Sequence, residues 1–420
     1  MNPGLMRRFF VFSLAGALGL LLAGCGGSSS STAAGDTGTS SNSGGGSSTS
    51  NVQTITVNTG PSAAPPLNSP YVDGAFTSVT LCVPGSTTDC QTISGILVDT
   101  GSSGLRILSS ALTITLPQQT GSGSSPVVEC FPFEDGVTWG PVQTADMTIA
   151  GEQAKSLPVQ VVGGSSFSTV PAACTNFGSP LDDLATLGAN GILGVGNFAQ
   201  DCGGACAVSG SSNPGVYYEC PSTGCVITTE SLSSQVPNPV SLFATDNNGV
   251  VIELPSVTGP ETSITGSLIF GIGTQSNNGL GSATIYTIDP STGNFTTAYQ
   301  GVSYSDSSFL DSGSNALYFL DTAITGIPTC TDLTFWYCPS TALNLSAVNT
   351  GTNGATGTVN FSVGNADLLT SNGNNAAVNN LAGPNGPSFD WGLPFFFGRT
   401  VFTAIEGKST PGGTGPYWAY

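Results

Sequence analysis

The hydrophobic residues of this chain come mostly in short runs, and Gly, Pro, Asn or Ser separate one run from the next. Runs such as residues 54–57, 159–162 and 250–254 are rich in β-branched residues and have the length of a strand. Few stretches repeat apolar residues at helical spacing. The pattern therefore predicts an all-β fold.

Two of the apolar runs lead into the same kind of polar sequence. The first leads into Asp99-Thr-Gly-Ser, and a much later one leads into Asp311-Ser-Gly-Ser. Short, continuous apolar runs are typical of strands buried on both faces. The glycines Gly101 and Gly313 allow the backbone to turn sharply just after each acid. We therefore predict two lobes that each present one carboxylate to a shared cleft.

Paired carboxylates have a recognisable chemistry. Two carboxylates held close together cannot easily both ionise, because each negative charge raises the proton affinity of the other. One then acts as a general acid and the other as a general base toward water, so we predict that Asp99 and Asp311 are catalytic and titrate as a pair. Nearby hydroxyl groups are predicted to support the pair, by hydrogen bonds to the carboxylates (Ser102 and Ser314) and by joining the two loops (Thr100 and Ser312).

Residues 1–24 have the features of an export signal, with two arginines before a long apolar run and small residues at the end. The ending Leu-Ala-Gly-Cys25 resembles the lipobox of bacterial lipoproteins, in which the cysteine is lipidated. A simple signal peptide or a transmembrane helix with a chance cysteine are the alternatives. Lipid on Cys25 would anchor the mature protein to the membrane of the cell envelope. Gly26, rather than Asp, follows the cysteine, which in enterobacterial lipoproteins favours the outer membrane.

The rest of the chain divides by composition. Residues 25–51 hold the cysteine and then almost only Gly, Ser, Thr, Ala and Asn, so they are predicted to form a flexible tether. The remainder of the chain, from residue 52 onward, is too long for one small core. We predict a first lobe at 52–246, with the first acid, and a second lobe at 247–420, with the second acid.

Charge and histidine content exclude several functions. The net charge is −19, and only four of the six cationic residues remain once the two arginines of the export segment are removed, which argues against nucleic-acid binding. There is no histidine, so Ser–His and Cys–His nucleophiles are excluded. The lack of histidine and the oxidising compartment also argue against a zinc site, and we predict no metal and no cofactor.

The chain has eleven cysteines, and ten remain if Cys25 carries lipid. An even number in an exported protein predicts disulfides. Two pairs are close in sequence and a third follows by elimination, which gives Cys82–Cys90, Cys330–Cys338 and Cys130–Cys174. For Cys202, Cys206, Cys220 and Cys225, sequential and nested pairing both fit the spacing.

The two acid motifs resemble the active-site loops of the pepsin-like aspartic proteases. Two later apolar segments, 190–196 and 389–402, resemble the segments that cross behind those loops in the family, with Gly194 and Gly392 at the crossing points. The order of acid loop and later glycine segment thus occurs twice. The resemblance implies a bilobal, all-β fold with two pseudo-twofold related lobes and a central cleft, and it implies hydrolysis of peptide bonds.

The stretch 130–140 is predicted to form a hairpin, and it resembles the flap that covers the cleft in that family. Gly136 and Gly140 flank its tip, and Phe133 stands where the family usually has a tyrosine. Phe133 can pack on a bound peptide but has no hydroxyl group to donate. Arg106 stands where the family often has an aromatic residue, and it is predicted either to contact the cleft edge or to offset nearby acidic charge. An ordinary surface hairpin is the alternative for 130–140.

These features support three hypotheses for the function. The first is a lipid-anchored aspartic endopeptidase in which Asp99 and Asp311 activate water. The second is a catalytically silent relative that binds peptides or envelope material in the same cleft. The third is a structural surface protein with a chance pair of motifs. The expected partners are a peptide or protein substrate and, through the N-terminal lipid, a membrane; the protein is expected to be a monomer.

Overall fold

The computed structural model describes residues 51–61, 71–121 and 123–420. The predicted export signal, the lipidation site Cys25 and nearly all of the predicted tether lie outside the described residues. Within them, the fold is built almost entirely of β-strands, as the sequence predicts.

The first ten strands are β1 Val52–Asn58, β2 Gly74–Cys82, β3 Cys90–Asp99, β4 Ser103–Leu108, β5 Val127–Phe133, β6 Gly136–Ile149, β7 Glu152–Val162, β8 Gly191–Val195, β9 Tyr217–Glu219 and β10 Val226–Ile227. They are followed by β11 Gly249–Glu253, β12 Ile264–Phe270, β13 Ile285–Thr287, β14 Phe295–Tyr299, β15 Val302–Leu310, β16 Leu317–Leu320 and β17 Leu343–Thr350. The last are β18 Thr356–Val363, β19 Ala382–Gly383, β20 Asn385–Trp391, β21 Thr400–Ala404, β22 Ser409–Thr410, β23 Gly413–Thr414 and β24 Tyr417–Ala419.

Helices are short connectors between these strands. The α-helices are α1 Ala172–Thr175, α2 Leu184–Leu187, α3 Thr322–Thr325 and α4 Ala366–Leu369. Single 3-10 turns are formed by Ser109–Ala111, Ser165–Phe167, Gly203–Ala205, Pro239–Leu242 and Leu393–Phe395. Across the described ranges, no helix combines the length and the apolar character that are needed to cross a membrane.

The strands form two main sheets. The larger has the order β10-β9-β5-β6-β7-β4-β8-β3-β2-β1-β12-β11-β21-β24-β13, and the other has the order β18-β17-β14-β15-β20-β16-β19. β1 pairs antiparallel with both β2 and β12, so the larger sheet connects strands from the two halves of the chain. The result is the predicted all-β, bilobal architecture, while the boundary at residues 246 and 247 stays a prediction.

Burial along the strands follows from their positions in the sheets. In β14, buried and half-buried residues alternate, as expected for a strand with one face toward the core. All residues of β4 and β8 are buried, because these strands have neighbours on both sides and on both faces. The runs predicted as strands lie in β1, β7 and β11, although Leu254 falls just outside β11.

One large apolar cluster supports both acid loops. It includes Leu105 and Val195 from the strands around the first acid and Leu317 and Trp391 from those around the second. Packing of this kind fixes the strand ends from which the acids project.

Five disulfides are present in the described part of the chain. They are Cys82–Cys90, Cys130–Cys174, Cys202–Cys206, Cys220–Cys225 and Cys330–Cys338. The three predicted pairs are confirmed, and the four remaining cysteines pair sequentially rather than in the nested arrangement.

Asp73 attaches the start of β2 to the second half of the chain. It is fully buried, its backbone N–H donates to the Ala376 carbonyl at 2.7 Å, and its Oδ1 accepts from the Val378 N–H at 2.6 Å. Its φ is 53°, a left-handed conformation that Asp and Asn tolerate better than most residues. Burial raises the pKa of Asp73 well above the usual range, and the hydrogen bond from Val378 offsets this only partly.

We expect Asp73→Asn to stabilise the protein at pH 7 by roughly 1–2 kcal/mol, with a much smaller effect at pH 4. A group whose pKa is raised on folding contributes its stability at low pH and loses it as pH rises, whereas Asn keeps the acceptor and does not ionise. Urea unfolding at both pH values would measure the difference, with the exposed acid of Asp367→Asn as a control. A destabilised Asp73→Asn protein at pH 7 would contradict this explanation.

Candidate active site

Each of the two acids stands at the end of a buried strand. Asp99 is the last residue of β3, and Asp311 directly follows β15. β3 pairs in parallel with β8, and β15 pairs in parallel with β20. The next strand of each unit, β4 or β16, pairs antiparallel with the other side of β8 or β20. In the sequence, an acid loop followed by a glycine segment occurs twice. Each of these two copies therefore forms the same structural unit.

The crossing segments need glycine where they pass behind the acid loops. A Cβ atom built on Gly194 would lie 2.7 Å from the carbonyl carbon of Ser103, and one built on Gly392 would lie 2.0 Å from the Ala316 carbonyl oxygen. Side chains at these positions would push the loop backbones away. The role predicted for Gly194 and Gly392 is confirmed.

Thr100 and Ser312 join the two loops through a symmetric set of hydrogen bonds. The Thr100 N–H donates to Ser312 Oγ at 3.1 Å, and the Ser312 N–H donates to Thr100 Oγ1 at 2.9 Å. Each hydroxyl also donates across the interface, Thr100 to the Leu310 carbonyl at 3.1 Å and Ser312 to the Val98 carbonyl at 2.8 Å. Both side chains are buried, so these bonds fix the relative position of the loops.

The first carboxylate is held by its own loop. Asp99 Oδ1 accepts from the Gly101 N–H at 2.7 Å, and Asp99 Oδ2 accepts a short hydrogen bond from Ser102 Oγ. Hydrogen bonds of this kind stabilise the ionised form of a carboxyl group. The side chain is completely buried, so its orientation is set by these contacts.

The second carboxylate is held in the same way. Asp311 Oδ1 accepts from the Gly313 N–H at 2.7 Å, and its Oδ2 lies 2.8 Å from Ser314 Oγ. Asp311 is also completely buried. The supporting positions predicted from the sequence thus occupy equivalent places around the two acids.

The two carboxyl groups face each other. A Cβ atom on Gly101 would lie 2.6 Å from Asp311 Cγ, and one on Gly313 would lie 2.7 Å from Asp99 Oδ1. A hydrogen bond joins the side chains of Asp99 and Asp311. The geometry on which the sequence hypothesis depended is therefore present.

The two acids influence each other's titration. Burial raises the pKa of Asp99, and hydrogen bonds from Asp311, Ser102 and Gly101 partly offset this. Burial raises the pKa of Asp311 well above its usual range, and the negative charges of Asp99 and Asp390 raise it further. The two carboxyl groups therefore share one proton as a pair over an intermediate pH range.

Asp390 is a third acid next to the pair. It is 1% exposed, and its Oδ2 lies 2.6 Å from Ser314 Oγ, which also contacts Asp311. A hydroxyl group has one hydrogen, so Ser314 donates to one of these carboxyl groups and must accept from the other. One of the two acids therefore carries a proton whenever both contacts are made.

Sequence reasoning did not identify Asp390. The available sign was an acid inside the apolar run Phe389-Asp-Trp-Gly, since a charged residue in a buried strand usually has a specific partner.

Arg106 does not reach the cleft edge and instead offsets acidic charge. It is completely buried, and its Nη2 lies 2.7 Å from Glu129 Oε1 and 3.0 Å from Asp201 Oδ2. Its guanidinium carbon lies 3.6 Å from the centre of the Phe131 ring. The positive charge of Arg106 also favours the ionised form of Asp99.

The Arg106 cluster has more acid than base. Burial raises the pKa of Asp201 well above its usual range, and the negative charge of Glu129 raises it further. Tyr217 Oη donates to Asp201 Oδ1 at 2.8 Å. The sequence did not point to Glu129, Asp201 or Tyr217, although a single arginine within the apolar strand β4 indicates a buried acidic partner.

The predicted hairpin is formed by β5 and β6, with Phe133 paired to Gly136 at its end. A Cβ atom on Gly136 would lie 2.3 Å from the Ser179 carbonyl oxygen, so the hairpin end is tightly packed. Phe133 is 3% exposed and its ring centre lies 5.1 Å from that of Phe131, within the core of the first lobe. Contact between Phe133 and a bound peptide stays a prediction.

A groove of about 290 Å³ lies beside the acid loops, and the exposed residue Glu134 of the hairpin tip contributes to it. Both halves of the chain line this groove. The first half contributes Thr100, Gly101, Ser102, Ser103, Glu134, Gly196, Asn197, Phe198, Gln200 and Asp201, and the second half contributes Thr292, Gly293, Asn294, Phe309, Leu310, Asn385 and Trp418. Gly101 of the first acid loop and Glu134 of the hairpin tip therefore border the same groove.

Comparison with solved structures supports the fold. The chain is similar to the crystal structure of aspartic proteinase from Irpex lacteus, with a TM-score of 0.51, 17% sequence identity, and coverage of 88% of this chain and 96% of that one. Identity at this level establishes a shared fold alone.

No curated protein matches the sequence. A family model described as "Protein of unknown function (DUF3443)" matches residues 47–420. Since this match spans most of the chain, the protein belongs to the DUF3443 family.

Proposed function

We propose that this protein is an aspartic endopeptidase that hydrolyses peptide bonds with water activated by Asp99 and Asp311. The observation that carries the proposal is the pair of buried carboxyl groups, hydrogen-bonded to each other at the ends of two equivalent strands. The pepsin-like fold is consistent with it.

The environments of the acids suggest their roles. Ionised Asp99 accepts a proton from a water molecule, and the water oxygen attacks the carbonyl carbon of the scissile bond. Protonated Asp311 donates its proton to the carbonyl oxygen, which gives a neutral tetrahedral intermediate. The C–N bond then breaks, the leaving nitrogen takes the proton held by Asp99, and Asp311 recovers its proton from a hydroxyl of the intermediate.

A non-catalytic peptide-binding protein is the second candidate. The observation that favours it is Phe133, which has no hydroxyl group and whose ring packs in the core of the first lobe. Such a protein would hold an extended peptide in the same groove without cleaving it.

Incubation of the full chain in detergent with a peptide library, from about pH 3 to 7, tests the proposal. We expect cleavage that is fastest in the acidic part of this range and that a general aspartic-protease inhibitor blocks. Peptides that are retained but never cleaved would favour the binding function instead.

The third acid gives a finer prediction. We expect Asp390→Asn to move the alkaline limb of the pH–rate profile to lower pH by roughly one unit. The reason is that the side-chain oxygen of the introduced Asn can still accept from Ser314 Oγ, while the negative charge that raises the pKa of Asp311 is removed. The profile of Asp332→Asn, which changes an exposed acid of the same lobe, should match the wild type. An unshifted profile for Asp390→Asn would mean that Asp390 does not influence the pair.

We also propose that the protein is anchored to the outer membrane by lipid on Cys25. The lipobox-like ending of the export segment supports this, together with the small polar residues that come after it. Cys25→Ser should release the protein into the soluble fraction and abolish labelling with palmitate, while Ser29→Ala should leave both unchanged. Membrane retention of the Cys25→Ser protein would count against a lipid anchor.

A further inference from the structure

The second lobe contains a cavity of about 640 Å³ that is separate from the groove beside the acids. Its walls include Leu345, Val359, Phe361, Trp391, Phe397 and Arg399, and no residue that lines it also lines that groove. The volume is typical of a site for a small molecule. The Trp391 carbonyl accepts from the Asp311 N–H at 3.1 Å, so the cavity lies behind the second acid loop.

The charge of this cavity is opposite to that of the protein. Arg399 is its one charged lining residue, in a chain with 25 acidic and 6 cationic residues. Within the described ranges, Arg399 forms no ion pair with a carboxylate. The two ion pairs made by an arginine there, with Glu129 and with Asp201, are both made by Arg106. Arg399 instead donates from Nη1 to the Phe395 carbonyl, and burial lowers its pKa. A partly desolvated cation without a carboxylate is stabilised by an anionic ligand.

Aromatic rings cover the wall beside Arg399. The Phe395 ring centre lies 4.4 Å from the Arg399 guanidinium carbon and 5.6 Å from the Trp391 ring centre. Trp391 is 1% exposed and its indole Nε1 is inaccessible to solvent, so this N–H does not open into the cavity.

The remaining walls are suited to an apolar body. Phe361 packs edge-on against Trp391, with ring centres 5.3 Å apart, and Phe397, Leu345 and Val359 also line the cavity. We propose that this cavity binds a small aryl-alkyl carboxylate, whose carboxylate pairs with Arg399 while its ring packs on the aromatic wall.

Calorimetric titration of the full chain at pH 7 with 4-phenylbutyrate and with its neutral amide tests the proposal. We expect the carboxylate to bind at one site per chain and the amide to bind at least about tenfold more weakly. Arg399→Gln should weaken binding of the carboxylate by a similar factor. Lys155→Gln, which removes an exposed cation elsewhere, should have no effect.

Three results would each overturn the proposal: no binding of 4-phenylbutyrate up to about 10 mM, equal binding of the amide, or full affinity in Arg399→Gln. The comparison of acid and amide on the wild-type chain decides the point even if a variant fails to fold. Because the readout is binding, it does not depend on the proposed peptidase activity.

Discussion

Replacing Asp99 or Asp311 by Asn is expected to lower the rate of peptide cleavage by at least about 10³-fold while leaving the fold intact. Asn has nearly the same shape as Asp and can still accept from the Gly101 or Gly313 N–H at the same position. It cannot, however, take up or release the proton that the pair shares. The measurement is kcat/KM on the best peptide from the library, with circular dichroism to verify folding.

The acid chosen for comparison is exposed and does not line the groove beside the pair. Asp332→Asn should retain the wild-type rate. Cleavage within tenfold of wild type by either Asp99→Asn or Asp311→Asn would exclude a mechanism that uses both acids. Peptide binding that survives in both variants would show that the groove, rather than the pair of acids, provides affinity.

Arg106→Met is expected to destabilise the protein by about 3–5 kcal/mol at pH 7, because it leaves the buried carboxyl groups of Glu129 and Asp201 without their counterion. The side chains in both ion pairs are completely buried, so water cannot replace the lost charge. Methionine fills a similar volume, which separates the loss of charge from the loss of packing. Urea unfolding at pH 7 measures the effect, and Lys155→Met is the control for loss of an exposed cation.

The same cluster predicts the pH dependence of that loss. The pKa of Asp201 is raised on folding by burial and by the charge of Glu129, so its protonated form favours the folded state. The stability that this group contributes is therefore present at low pH and lost as pH rises. The cost of Arg106→Met should accordingly be smaller at pH 4 than at pH 7. Adding Glu129→Gln and Asp201→Asn should restore most of the stability at pH 7, and no recovery would show that Arg106 acts mainly through packing.

The acid loops could be predicted because all their information lies in contiguous residues. An apolar run followed by Asp, a hydroxyl residue, Gly and Ser specifies a buried strand, a sharp turn and local donors, wherever the strand is placed. The two copies, each with its later glycine segment, then indicated two equivalent units. For the same reason, the local disulfides Cys82–Cys90 and Cys330–Cys338 could be predicted from the short spacing of their cysteines.

Partners that depend on neighbouring strands could not be predicted in this way. The alternation of residues along a strand tells which face is buried but not which other strand lies beside it. Asp390 reaches Ser314 only because β20 passes between β15 and β16. Arg106 meets Asp201 through contacts between residues distant in the chain. The last four cysteines were undecided for a different reason, because their spacing allows both sequential and nested pairing, although both observed bridges are local.

By itself, the sequence determined the all-β class, the doubled acid loop, the residues that support each acid and the need for glycine at the two crossing points, because turns and strand patterns are local properties. The tertiary structure alone showed that Asp390 lies beside the pair, where its charge raises the pKa of Asp311. It also decided that Arg106 neutralises buried acids instead of contacting the cleft, and that Arg399 and Trp391 line a cavity behind the second loop. Charges act through space, so their effects appear only when the chain is folded.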